Sequence, residues 1–298
     1  MRRRPDTIPG LLVLLVRRRL NVPTVVLTAL VLLVAFAVLF ALLTGPPTVK
    51  IATFNIQDYP KNPTQAAGAV ELIGDLDVQV AAVQEITDTD TFDRNVDDYL
   101  GDHWNTAYVK QKRPSRRVAV VYNDDELELL DTTTHRDTVI KPGASRATLE
   151  AKFRTRYGAE PRTFRLFVVH LAAHDHHREV RRKQIEALKP LVTDAVDDGH
   201  DVNVLGDFNT TGVADFYQLQ KLVDAANLHW PSLDLPCTVY WDREDLCATS
   251  NLDHILSTQP AQSIHVGGAC KTVGCDVRAE CPTYVEHISD HCPVVTEL

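Results

Sequence analysis

FRLFVVHL at 164–171 and VNVLGDFN at 202–209 are two β-rich apolar runs, and each ends on polar, chemically capable side chains: His170 in the first, Asp207 and Asn209 in the second. Apolar runs of this length, bounded by turn-forming residues, read as strands. The same pattern recurs outward in both directions. Asn55 closes TVKIATFN, Glu85 closes VQVAAVQE, Asp253 opens a strand within LDHIL, and Asp290-His291 precedes CPVV. One such residue at a strand end is ordinarily a turn or a cap. Amides, carboxylates and imidazoles at the ends of this many strands imply one shared cleft at a sheet edge.

The rest of residues 49–298 alternates short β-rich runs with helical stretches. The pattern predicts strands at 48–55, 79–85, 104–109, 116–122, 127–132, 146–157, 162–170, 202–206, 252–257, 263–266 and 293–297. Helices are predicted at 64–76, 89–100, 177–197 and 213–226; in the third, Val180, Ile185, Leu188, Leu191, Val192 and Val196 recur near a 3.6-residue period. Many strands with few, unevenly interleaved helices predict two packed sheets with helices outside them.

Taken in order, TFNI (53–56), VQEI (83–86), VVHL (168–171), VLGDFN (204–209), LDHIL (252–256) and SDHCPV (289–294) resemble the motif series of the endonuclease/exonuclease/phosphatase superfamily. That superfamily includes DNase I, AP endonucleases, bacterial sphingomyelinases and inositol-polyphosphate 5-phosphatases. The resemblance covers residues 48–298. It implies an α/β (α+β) fold, a four-layer αββα sandwich of two mixed β-sheets, with the site at one end of the sheets. It also implies a metal-dependent phosphoric-ester hydrolase, foremost a DNase I-like phosphodiesterase acting on nucleic acid. A phospholipase or sphingomyelinase, or a phosphomonoesterase, would use the same scaffold. An inactive membrane-tethered binding module is the alternative of another class, and the intact motif set speaks against it.

Attack of water on phosphorus needs a cation on the phosphoryl oxygens, an oriented nucleophile and stabilisation of the leaving oxygen. Glu85 is the expected magnesium ligand, with the amide oxygen of Asn55 and the carboxylate of Asp290 beside it, since hard cations take oxygen donors; manganese or calcium are alternative ions. By resemblance, Asp207 orients or deprotonates the attacking water and Asn209 donates to a phosphoryl oxygen. His291 binds a non-bridging oxygen or moves a proton, Asp253 orients it, and His170 stands near the leaving group. Arg146, in GASRATLEAKF, resembles the arginine with which DNase I meets phosphate. The run His174-Asp175-His176-His177 admits a metal reading, but a solvated helix start is the plainer one.

Several features narrow the resemblance. Gln57 stands where AP endonucleases carry Asp, no WCDR signature precedes LDHIL, and no exposed aromatic hairpin of the secreted sphingomyelinase kind is legible. Before VAVVY (118–122) stands KQKRPSRR (110–117), a basic run suited to a nucleic-acid backbone, although such runs are more often simply solvated. A DNase I-like nuclease is what remains.

The formal net charge is −9, yet residues 1–47 carry six Arg against one acid, so the remainder stands near −14. An acidic body does not coat nucleic acid by counterion release; a polyanionic substrate must be held locally. Residues 22–43 (VPTVVLTALVLLVAFAVLFALL) hold no charge, and their length suffices for a transmembrane helix. The run is longer than the apolar core of a signal peptide. With all six Arg before it, the segment predicts a cytoplasmic N-terminus (1–21), a single span (22–43), a short linker (44–48) and an extracytoplasmic catalytic domain at the cell membrane (49–298).

The six Cys, at 237, 247, 270, 275, 281 and 292, form no CxxC pair, which disfavours a zinc site and favours disulfides in an oxidising compartment. Cys237 with Cys247, and Cys270 with Cys275 or Cys281, are the expected loop pairs. Cys292, opening a buried strand, is the expected free core thiol.

Overall fold

The computed structural model describes residues 26–27, 29–34, 36, 47–111 and 116–298. The chain divides into two units, Met1–Gly45 and Pro46–Leu298. In the first, the described residues are helical and expose Val, Leu and Phe side chains. The expected span at 22–43 lies largely outside the described residues, and among those residues no helix is long and apolar enough to cross a membrane.

The second unit holds two large sheets. One is six-stranded, built from β1 (Lys50–Tyr59), β2 (Val80–Ile86), β3 (Trp104–Tyr108), β4 (Arg117–Asn123), β12 (Ser263–Val266) and β13 (Val294–Glu297), in the order β12-β13-β1-β2-β4-β3. The other is five-stranded, built from β5 (Leu127–His135), β6 (Thr148–Thr155), β7 (Thr163–His170), β8 (Asp201–Asp207) and β11 (Asp253–Ser257), in the order β11-β8-β7-β6-β5. Both are mixed: β1 and β2 run parallel, as do β7 and β8, while the other pairings are antiparallel.

The central strands are apolar on both faces because both faces are covered. Along β1 and β2, Ile51, Val80 and Ala82 enter a core shared with Leu149, Leu166 and Leu205 of the opposite sheet. Their neighbours Ala52, Phe54, Ala81 and Val83 pack outward against α1 (Pro63–Asp75) and α2 (Thr89–Leu100). On the far side, Phe167, Val169, Val202 and Val204 meet α3 (Arg178–Asp197) and α4 (Val213–Ala226). The period of two along each strand thus produces the expected αββα layering.

Four elements between residues 239 and 287 were not predicted. A hairpin of β9 (Val239–Arg243) and β10 (Leu246–Ser250) stands apart from both sheets, in a stretch where the sequence pattern predicted no strand. Its turn is Glu244-Asp245, without the Gly or Asn that marks a tight hairpin. Two short helices, α5 (Gly268–Thr272) and α6 (Tyr284–His287), also lie in the Cys-rich region.

The disulfides correct the expected pairing. Cys237 joins Cys275, Cys247 joins Cys281, and Cys292 is bonded to Cys270 rather than free. The hairpin register explains the first correction: Cys247 lies opposite Asp242, five residues beyond Cys237. That offset is about 16 Å of strand, far beyond the roughly 7 Å a disulfide spans between Cα atoms. For Cys292, the antiparallel pairing of Val266 with Val294 brings α5 alongside, so Cys270 arrives 6.0 Å from it between Cα atoms. Non-reducing peptide mapping is expected to return these three pairs. Replacing Cys247 and Cys281 together by Ala is expected to lower stability by about 2–4 kcal/mol in urea unfolding; unchanged stability would contradict the closed loop.

Candidate active site

β1 and β2 both lose register where they reach the edge of the sandwich. The β1–β2 ladder shifts between Asn55 and Tyr59, and the β2–β4 ladder between Val83 and Ile86. Bulges of this kind re-aim side chains at sheet ends. Gln57, Asp58 and Glu85 accordingly have φ of 46°, 50° and 69°, and Asn209 and His174 have φ of 50° and 72°. Five of the seven non-glycine residues with positive φ among the described residues therefore line one cleft of about 630 Å³. Backbone strain of this type persists where surrounding structure holds it, and it concentrates at functional sites.

Asn55, Glu85, His170, Asp207, Asn209, Asp290 and His291 all line that cleft. Asn55 Nδ2 donates to Asp207 Oδ2 at 3.1 Å, linking the two sheets. Asp207 Oδ1 accepts the backbone N–H of Asn209 at 2.9 Å. His170 Nε2 lies 3.6 Å from Asp207 Oδ2 and 3.7 Å from Glu85 Oε1, while its Nδ1 is buried without a partner among the described residues. His291 Nδ1 meets Asp253 Oδ2 at 2.7 Å, and its Nε2 lies 3.9 Å from Asp207 Oδ2. One of the N–H groups of Asn209 Nδ2 is engaged with the carbonyl of Leu171 at 3.1 Å, which leaves the other for a ligand.

Asp253 stands behind His291, fully buried, and does not line the cleft. Arg146 also stands back from the lining, just before β6 and half-buried, with its Nε lacking a partner among the described residues. It is near enough to His170 and Glu85 to act on them through its charge.

Burial sets the protonation states. It pushes Asp207 up to about 7, against the pull of the His291 charge. It raises Glu85 and Asp290 as well, opposed at Glu85 by Arg116 and at Asp290 by His291. Burial and the charge of Arg146 hold His170 well below its ordinary value, so it is a neutral imidazole. Burial would do the same to His291, but the charge and hydrogen bond of Asp253 overcome it and raise that imidazole well above the usual range. Two buried histidines thus stand in opposite states, neutral and cationic, within one cleft.

The donor set fits a hard divalent cation. Glu85 and Asp290 supply carboxylate oxygens, Asn55 an amide oxygen, and Asp290 Oδ1 is buried with no protein partner among the described residues. Among the described residues, the group of three or more His, Cys, Asp or Glu whose ligand atoms converge within 4.8 Å is a different one, that of Asp207, Asp253 and His291. It is already closed by the Asp253–His291 hydrogen bond, which suits an orienting pair better than a metal centre. Among the described residues the His174–His177 run yields no such convergence; His174 and His176, which line the cleft, stack on each other, and His177 lies tilted against His176.

Several site residues were not legible beforehand. Arg116, at the end of the basic run, pairs with Asp58 and stands 3.4 Å from Glu85 Oε2. Thr238 donates to Asp253 Oδ2 at 2.7 Å and accepts the backbone N–H of Asp253 at 3.0 Å. Ser289 donates to the Asn55 carbonyl at 2.7 Å, which explains the Ser of SDH: it fastens this motif to β1. Arg181 is fully buried and bidentate to Asp215; it also donates to the carbonyls of Ala172 and His174 and to Thr211 Oγ1. It clasps the two loops that follow β7 and β8. A basic residue on the apolar side of α3 was the available signal for Arg181, since a charge there requires a buried partner. Thr238 and Ser289 gave no signal beyond the motifs beside them.

No protein-family model and no curated protein matches the chain. Solved structures do match its fold. An endonuclease/exonuclease/phosphatase from Bacteroides vulgatus superposes with TM-score 0.60 at 17% identity, over 84% of this chain and 98% of that one. The chain has the DNase I-like fold of the endonuclease/exonuclease/phosphatase proteins. Two further structures share this DNase I-like fold. The human Nocturnin catalytic domain with bound sulfate anion gives TM-score 0.58 at 15% identity, over 85% and 95% of the two chains. D. rerio TDP2 complexed with single strand DNA product gives 0.62 at 12% identity, over 84% and 98%.

Proposed function

We propose that the chain is a magnesium-dependent phosphodiesterase of the nuclease type, acting on nucleic acid outside the cytoplasm. The observation that carries this reading is the convergence of Asn55, Glu85, His170, Asp207, Asn209 and His291 at one end of both sheets, with Asp253 fixing His291 from behind. The fold likeness supports it: related folds hold a sulfate anion in Nocturnin and a single-strand DNA product in TDP2. Three disulfides and the arginine-led apolar segment at 22–43 support the extracytoplasmic, membrane-anchored placement.

In this reading Glu85, Asn55 and Asp290 hold the cation, which supplies Lewis-acid polarisation of the phosphoryl group. Asp207, its Oδ1 steadied by the Asn209 N–H and its Oδ2 by Asn55, orients the attacking water and accepts its proton. His291 Nε2, cationic through Asp253, donates to a non-bridging oxygen and stabilises the charge that builds there. Neutral His170 faces the same space, and Arg146 adds positive charge from behind it. A carboxylate pushed up to about 7 beside a histidine held cationic is the separation of pKa values that acid–base pairs require.

The test offers plasmid DNA, RNA, sphingomyelin and phosphomonoesters to the detergent-solubilised full chain, with and without magnesium. Cleavage of nucleic acid that EDTA abolishes and magnesium restores is expected. Turnover confined to lipid or to monoesters would replace the nuclease reading, and undiminished activity in EDTA would remove the metal from it.

A further inference from the structure

We propose that the cleft-facing side of the β9–β10 hairpin is a nucleotide subsite. Trp241 stacks on the base next to the scissile phosphate, and Arg243 binds the next phosphate along the chain. This rests on the phosphodiesterase reading above and specifies its substrate as a polynucleotide with an unstacked nucleotide beside the cleavage point.

The register of β9 supplies the ruler. Val239 forms an antiparallel bridge with His291, and the N–H of Tyr240 donates to the Asp290 carbonyl at 2.8 Å. Residues paired across an antiparallel bridge project to the same side, and so do residues two and four positions along the strand. Trp241 and Arg243 therefore share the side of His291, about 7 Å and 13 Å further along the strand. Both line the cleft. Tyr240, between them, points the other way and is buried in the core. The spacing places one side chain beside the reacting phosphate and the next one a further unit away.

The two side chains are also presented as a binding surface. Trp241 Nε1 donates to Ser250 Oγ at 2.9 Å, which fixes the indole by its edge, and among the described residues its ring stacks on no other aromatic group. Had its purpose been hairpin packing, it would be buried; it is half-exposed instead. Arg243 is exposed, and its guanidinium has no hydrogen-bond or ion-pair partner among the described residues. The platform beneath them is braced. Cys247 is bonded to Cys281 and exchanges both backbone hydrogen bonds with Arg278, and Thr249 Oγ1 donates to the Cys275 carbonyl at 2.7 Å. A rigid aromatic face with an adjacent unpaired guanidinium is the arrangement that holds single-stranded nucleic acid with little dependence on sequence. In a domain that is acidic overall, such local contacts must replace a diffuse positive field.

The experiment compares the full-length wild type with Trp241→Ala, Trp241→Phe and Arg243→Gln, all in magnesium. The substrates are methyl p-nitrophenyl phosphate, a dinucleoside monophosphate and a single-stranded decanucleotide. Trp241→Ala is expected to raise KM for both nucleotide substrates by roughly tenfold or more, Trp241→Phe to recover most of the loss, and neither to change the small ester. Arg243→Gln is expected to raise KM for the decanucleotide only, because the dinucleoside monophosphate has no second phosphate. Equal losses on all three substrates, or an unchanged KM for the decanucleotide, would overturn the subsite. If the wild type cleaves the small ester but no nucleotide, the phosphodiesterase stands and the subsite falls. If it cleaves none of the three, the parent reading fails first.

Discussion

Asp207→Asn is expected to lower turnover by about two to four orders of magnitude while the domain stays folded. The carboxylate is buried at the junction of the two sheets and accepts hydrogen bonds from the Asn209 N–H and from Asn55 Nδ2. An amide of the same shape keeps one of these acceptors but cannot take a proton from water. The change removes a buried carboxylate that burial already pushes up to about 7, so stability is expected to hold or to rise slightly. Glu85→Gln and His291→Ala are expected to show comparable losses, the first through the cation site and the second through phosphoryl-oxygen binding. Steady-state kinetics on plasmid DNA, beside thermal unfolding, separates the cases. Wild-type turnover in the Asp207 variant would remove it from the chemistry. A loss that comes with a collapsed unfolding transition would assign the residue to the fold.

The second large effect is on folding. Gly206 has φ +147°, and a Cβ there would lie 2.0 Å from the Val169 carbonyl oxygen and 2.8 Å from its carbon. β7 and β8 are parallel neighbours at this point, with Val169 paired to Gly206 and His170 to Asp207. Any side chain would force the strands apart beneath two site residues. Gly206→Ala is therefore expected to cost at least about 3 kcal/mol, enough to leave much of the protein unfolded. Gly199→Ala is the control: its φ is also positive, +80°, but nothing lies within 4 Å of the added carbon, and a cost of about 1 kcal/mol is expected. Urea unfolding of the two variants gives the comparison. If Gly206→Ala costs no more than Gly199→Ala, the close approach of the strands is not what demands glycine.

The sequence by itself determined the layers, because strands buried on both faces must be apolar throughout while the helices show one apolar face. Residues 202–207 and 178–197 carry those two periods plainly. It also determined which strand ends hold polar chemistry, since Asn55, Glu85, His170 and Asp207 interrupt apolar runs that would otherwise continue. Only the tertiary structure decided what those residues touch. The opposite charge states of His170 and His291 follow from burial, which Arg146 reinforces at His170 and Asp253 overcomes at His291, a relation between residues distant along the chain. The disulfide pairs followed strand register rather than proximity in sequence. The β9–β10 hairpin escaped notice because its turn lacks the residues that announce one and its strands join neither large sheet. Thr238 and Ser289 are ordinary residue types whose roles arise from hydrogen bonds that exist only once separate loops have been brought together, and local pattern holds no trace of such bonds.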